Sequence, residues 1–273
     1  MVALLTLALG LGLGGQAQTD ATLRTVLVTV VDRNKAPLVD LDADDFVVRE
    51  SGQPRDIFSL RIADYPVVVL VDTSAGSRKD AAAVRSAAAR FITRVGQRPI
   101  AVGTLGSPPR FIAQFSDDRS TVLEQLARLT TDASPDIPFL QAIAGATRVV
   151  RETGQPFAAI VVISATPPPP IAGGDGQLGQ ILDSRATVYV VANRAGVAPS
   201  PVDQLRGLSE QTRGQFTTIY SPDSYAIALD HLADQMASEM MIEFVVPPGA
   251  PPSSDATVGV RVPGAVVKGL GVR

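Results

Sequence analysis

The chain has 273 residues, 45% of them hydrophobic and 19% charged, with a formal net charge of −3 at neutral pH. That balance suits one sizeable α/β domain with a smaller appendage. It excludes disorder of the chain as a whole and argues against a basic nucleic-acid-binding surface. With no cysteine present, disulfides, thiolate metal centres and cysteine nucleophiles are excluded too.

Met1–Gly15 is uncharged and rich in Leu and Ala, and Gly15-Gln16-Ala17 places small residues where a signal peptidase reads. The run is short for a membrane span, and its glycines disfavour a buried helix. The expectation is a signal peptide over residues 1–17 and a secreted, periplasmic or cell-envelope location, although no Lys or Arg precedes the run.

Residues 18–62 read as N-terminal β-strands: Thr22–Asp32, Phe46–Glu50 and Asp56–Ile62, separated by turns at Arg33–Pro37 and Ser51–Pro54. The acidic loop holding Asp40, Asp42, Asp44 and Asp45 has neither the turn glycine nor the closing Glu of a calcium loop. It reads as solvated.

Residues 63–240 alternate strands with helices, which implies crossover connections and a parallel sheet. Val67–Val71 is apolar without a break, as a strand buried on both faces must be. Helix Arg78–Val95 carries a stripe of Val84, Ala88, Phe91 and Val95. Strands Ile100–Leu105 and Phe111–Phe115 follow, then helices Ser120–Leu129 and Pro138–Glu152. Next come strand Ala158–Ser164, a break at Pro167–Pro170, a helix from Leu178 to Leu182, strand Thr187–Ala192, helix Val202–Gln211 and strand Phe216–Tyr220. Helix Tyr225–Met240 aligns Leu229, Leu232, Met236 and Met240.

Residues 241–273 return to β: Ile242–Val246, a linker Pro247–Pro252, then a hairpin of Thr257–Val262 and Ala265–Leu270 around Pro263-Gly264. Neither end has enough strands to bury a core alone. The two ends are expected to pair into one small β-subdomain beside a Rossmann-like, mostly parallel sheet flanked by helices.

In an open α/β sheet, ligands bind outside the carboxyl ends of the strands, so a site should centre on Asp72–Ser77. Asp72-x-Ser74-x-Gly76 resembles the Asp-x-Ser-x-Ser signature of the von Willebrand factor type A domain, which opens that family's metal-ion-dependent adhesion site. The lead-in resembles bacterial "VWFA-related" proteins, through Leu41-x-x-x-Asp45-Phe46 and Glu50-Ser51-Gly52. The closing β-segment is similar to theirs as well. The resemblance implies the type A fold and a role in protein recognition, not catalysis. It also implies a second Ser, a Thr from a second loop and a later Asp as metal ligands. Here the second Ser is Gly76, with Ser77 one place late. The Thr position falls on Ile137, and the Thr-Asp-Gly-like triplet is Ser164-Ala165-Thr166.

The adhesion site therefore reads as degenerate, and no cofactor is expected. The expected binding surface is Asp72, Ser74, Gly76, Ser77, Asp136, Ser164 and Thr166, facing an unidentified protein partner. The alternative is a metal-dependent adhesion module in which Asp72, Ser74 and Ser77 hold Mg²⁺, with Asp136 as a substitute carboxylate. More distant is a serine hydrolase. Asp72-Thr73-Ser74-Ala75-Gly76 lacks only the first Gly of a nucleophile elbow, but the sole histidine, His231, falls on the outward face of a helix rather than on a loop. Gly174-x-Gly176-x-x-Gly179 matches a dinucleotide fingerprint in letters only. Prolines part it from the preceding strand, and Asn193-Arg194 stands where the ribose-binding acid belongs.

Overall fold

The computed structural model describes residues 22–135, 137–167, 174–193, 199–248 and 256–273, without the side chains of 199–202. The expected signal peptide, Asp136, Pro168–Pro170, Arg194 and Gly249–Pro252 of the linker lie outside the described residues.

Six strands form the central sheet: β5 (Val67–Val71), β6 (Ile100–Thr104), β7 (Phe111–Ala113), β8 (Ala159–Ser164), β9 (Thr187–Asn193) and β10 (Phe216–Ile219). Their order is β10-β9-β8-β5-β6-β7. Every pair is parallel except β6 with β7. The apolar run of β5 is explained by its position, because each residue faces one of two cores. Val67, Val69 and Val71 belong to the core that helices α1 (Ala81–Arg94), α2 (Arg119–Ala127) and α6 (Asp223–Ala237) share through Phe91, Leu126, Leu229 and Met236. Val68 and Leu70 belong to the other core, which Ile143 of α3 (Phe139–Glu152), Ile181 of α4 (Asp175–Asp183) and Leu205 of α5 (Pro199–Gln211) share. The strand order reverses between β5 and β8, and at such a switch point ligands of open α/β sheets bind outside the carboxyl ends of the strands.

The two chain ends build a second, antiparallel unit. β1 (Thr22–Val31), β4 (Ile57–Ile62), β11 (Met240–Val246) and β13 (Val266–Val272) form a sheet in the order β13-β1-β11-β4. β2 (Phe46–Glu50), β3 (Gln53–Arg55) and β12 (Ala256–Val260) form a second in the order β12-β2-β3. A separate apolar cluster includes Val26, Val28, Phe46, Val48, Ile242 and Phe244. Glu50, buried beneath it, is held by Arg24 and by Arg55, whose Nε donates to Glu50 Oε2 at 3.1 Å.

Several elements differ from the sequence reading. The final two strands turn at Pro263-Gly264 but do not make a hairpin ladder, since β12 pairs with β2 and β13 with β1. Two facing sheets each need an edge, and these strands supply one to each. Gln53-Pro54, read as turn, lies in β3; Pro54 sits on an edge strand, where its missing N–H is tolerated. Met240 opens β11 and does not extend the α6 stripe. The helix closes at Ser238, whose Oγ donates to the Gln235 carbonyl at 2.7 Å. Glu239 then anchors the chain: its carbonyl accepts from Ala63 N at 2.8 Å, and its Oε2 accepts from Tyr65 Oη at 2.5 Å and Arg98 at 3.2 Å. Before α1, Ala75–Ser77 forms a single 3₁₀ turn.

Candidate functional site

The switch point is built by the turn after β5 and the turn after β8. Asp72, 3% exposed, is its centre. Its Oδ1 accepts from Ser74 N at 2.9 Å. Its Oδ2 accepts four bonds: Ser164 Oγ at 3.1 Å, Ala165 N at 3.0 Å, Thr166 N at 3.0 Å and Thr166 Oγ1 at 2.7 Å. Five donor groups thus surround a buried carboxylate, the single proton of Ser164 Oγ being shared with the Thr166 carbonyl at 2.8 Å, and no Arg or Lys among the described residues is within ion-pair distance of it. Charge-assisted hydrogen bonds are stronger than neutral ones, so the carboxylate ties the loop 164–166 firmly to the end of β5.

Other sequence-selected residues are placed as follows. Ser77 Oγ donates to the Ser74 carbonyl at 2.8 Å and is fully buried, so it closes the 3₁₀ turn instead of replacing the absent second Ser. Ser74 Oγ is buried with no hydrogen-bond partner among the described residues. Ile137 packs against the core that holds Phe139 and Leu140. Asp72, Ser74, Ser77 and Ser164 lie beneath the surface; Gly76 is exposed and Thr166 half-buried. The direct surface is thus narrower than expected, and its exposed rim carries Arg78, Lys79 and Arg110.

His231 is exposed on α6. Ser74 Oγ receives and donates no bond among the described residues, so the nucleophile–base contact that a serine triad uses is not formed.

Two supports were not apparent from the sequence. Thr73 Oγ1 donates to Asp132 Oδ2 at 2.7 Å, and Asp132 N returns a bond to the Thr73 carbonyl at 2.5 Å. Gly106 makes room for them: a Cβ there would lie 2.0 Å from Asp132 Oδ2 and 2.5 Å from Thr73 Oγ1. The second is Tyr225 on α6, whose Oη donates to the Ser164 carbonyl at 2.8 Å. Burial, then the charges of Asp80 and Asp72, push its hydroxyl well above the ordinary range and keep it a donor. Asp132 stands in an ordinary Thr-Thr-Asp loop, and the Tyr225 position marks only a helix start; neither pattern names a partner distant in sequence.

The family model of the von Willebrand factor type A domain matches residues 67–166. This segment is similar to the von Willebrand factor type A family. The type A fold recurs in solved structures. A von Willebrand factor type A protein from Catenulispora acidiphila shares 13% identity at a TM-score of 0.50, over 94% of this chain and 74% of that one. The vWF domain of the type V pili tip protein Mfa5 from Porphyromonas gingivalis shares 11% at 0.50, over 64% of this chain and 96% of that one. Proximal thread matrix protein 1 from the mussel byssus shares 10% at 0.54, over 64% and 48%. At these identities the likeness is one of fold. No match was found among curated proteins by sequence.

A type A adhesion site implies Mg²⁺, which demands near-octahedral oxygen coordination. The residues here do not fit it. Asp72 Oδ2 is saturated by protein donors, Ala165 and Ile137 offer no side-chain oxygen, and the Ser77 hydroxyl is turned to the Ser74 carbonyl. A side chain at position 76 is blocked as well, because a Cβ there would fall 2.5 Å from Thr166 Cγ2. Ser74 Oγ is the one hydroxyl of the signature left uncommitted. Among the described residues no three His, Asp or Glu gather as a metal cluster.

Proposed function

We propose that this type A domain is a protein-recognition module that works without a divalent metal, from the carboxyl edge of its sheet, in a secreted or cell-envelope protein. The observation that carries the reading is the closed Asp72 centre, where five protein donors occupy the carboxylate around which an adhesion site would be assembled. Recognition then falls to the exposed rim, where Arg78 and Lys79 favour an acidic partner surface, while Arg110 is paired with Asp132 at 3.6 Å. The use of this fold in a pilus tip protein and in a byssal matrix protein is consistent with an extracellular binding role. No helix among the described residues is long and apolar enough to cross a membrane. A non-enzymatic role is supported by the buried Ser74 hydroxyl, which has no partner among the described residues, and by the exposure of the His231 side chain on α6.

The test is capture of a partner from native envelope or culture fluid on the immobilised chain, in Mg²⁺ and in EDTA. The reading expects a partner retained equally in both and lost with Arg78→Glu/Lys79→Glu. A partner retained only in Mg²⁺ would sink the metal-free part. Retention by the charge-reversed chain would move recognition off this edge.

A further inference from the structure

Gly76 and Thr166 depart from the type A signature in opposite senses. Position 76, a Ser in the signature, has lost its side chain; position 166, the Gly of a Thr-Asp-Gly-like triplet, has gained one. The two sites touch. A Cβ at Gly76 would lie 2.5 Å from Thr166 Cγ2, far inside van der Waals contact. Thr166 cannot step aside freely, because its Oγ1 is bonded to Asp72 Oδ2 at 2.7 Å and its backbone N to the same oxygen at 3.0 Å. Threonine is stiff at χ1, so turning the methyl away also turns the hydroxyl away.

We propose that Gly76 and Thr166 form one reciprocal unit, a built-in replacement for a bound cation. The Thr166 hydroxyl gives Asp72 from within the chain the electropositive contact that an ion would give, and its methyl fills the space of the missing Ser side chain. Ala165 completes the exchange. Its N–H donates to the carboxylate, whereas a second carboxylate at 165, 2% exposed, would set two like charges side by side. The edge is therefore held in one arrangement by the chain's own groups, and Tyr225 extends that hold to α6 through the Ser164 carbonyl.

This inference rests on the metal-independent reading and is tested by a double-mutant cycle on the full chain, followed by thermal unfolding. Gly76→Ser should lower the melting midpoint by several degrees. In the Thr166→Ser background, which keeps the hydroxyl and deletes the methyl, the same change should cost little. Thr166→Val, close in shape but without the hydroxyl, should lower the midpoint through the lost bond to Asp72. If Gly76→Ser does not fold, recovery of soluble folded protein in the Gly76→Ser/Thr166→Ser chain reads the same coupling. An equal cost of Gly76→Ser in both backgrounds overturns the proposal, as does an unaffected Thr166→Val. Each chain is also melted in Mg²⁺, in Mn²⁺ and in EDTA at matched ionic strength. Absence of coupling with no metal shift removes the reciprocal unit but leaves metal-independent recognition standing. A Mg²⁺-specific rise in the unmodified chain removes both.

Discussion

Ser74 has a buried hydroxyl with no partner among the described residues, and Asp72 beside it has five donor groups around its carboxylate. An unpaired buried hydroxyl costs about 1–3 kcal/mol in lost solvation. Ser74→Ala is therefore expected to be neutral or to stabilise the chain by up to about 1 kcal/mol, by the same amount in Mg²⁺ as in EDTA. Urea denaturation measures this directly, and a loss confined to Mg²⁺ would show that the hydroxyl serves an ion. The sequence makes Asp72 legible as the centre because it follows an unbroken apolar strand. It also makes the missing ligands at 76, 137 and 165 legible, since absence of oxygen is a property of residue type. What replaces them is not legible. Gly76 reads only as a lost Ser until Thr166, 90 positions later in the chain, is seen to occupy its side-chain space.

At the scale of elements, the junction between α6 and β11 is fixed by Arg98, Glu239 and Tyr65. All three are buried; the guanidinium lies 4.0 Å from the Tyr65 ring centroid and also donates to the Val95 and Met236 carbonyls. Burial holds the Glu239 carboxyl above its ordinary range, against the charge of Arg98 and the Tyr65 and Arg98 hydrogen bonds, which favour ionisation. Arg98→Met should cost about 3–5 kcal/mol, because it leaves a buried carboxylate without its cation. Changing both residues, as Arg98→Met/Glu239→Gln, should recover part of that. The pH dependence has a definite sign. A carboxyl whose folded pKa is raised contributes stability that is present at low pH and lost as pH rises through the folded value. Removing Arg98 raises that value further, so the penalty should be smaller at about pH 5 than at about pH 8, on either side of neutral. Urea midpoints at the two pH values decide it; a penalty that grows on acidification would contradict this account. The sequence placed a helix through Met240 because the apolar spacing continues past the real end. The stop comes from Ser238 and from tertiary bonds to Glu239, and local periodicity does not carry those.

For the whole molecule, the sequence shows that both ends are β-rich and too short to fold alone. It does not show how they interleave, because pairing between strands about 200 residues apart leaves no local pattern. In the structure β1 lies between β11 and β13, β4 pairs with β11, and β2 pairs with β12. Every strand of the N-terminal segment except β3 therefore has a partner from beyond residue 239. Deleting Met241–Arg273 would strip β1 of both neighbours and leave only the β2–β3 pair, and an isolated two-stranded ladder is marginal in water. Glu239 stays in place on Arg98 in this truncation, so the buried ion pair of the α/β domain is not itself removed. The expected result of limited trypsin digestion is rapid cleavage within Thr22–Ile62, at Arg33, Arg49 and Arg55, while Val67–Ala237 persists. Mass spectrometry of the early fragments would show this order. Deleting Glu239 as well should shorten the lifetime of Val67–Ala237 too, since Arg98 then loses its carboxylate. If Thr22–Ile62 in the Met241–Arg273 truncation resists trypsin as well as in the full chain, the N-terminal strands stand without the C-terminal ones. The two ends would then be neighbours and not one folding unit.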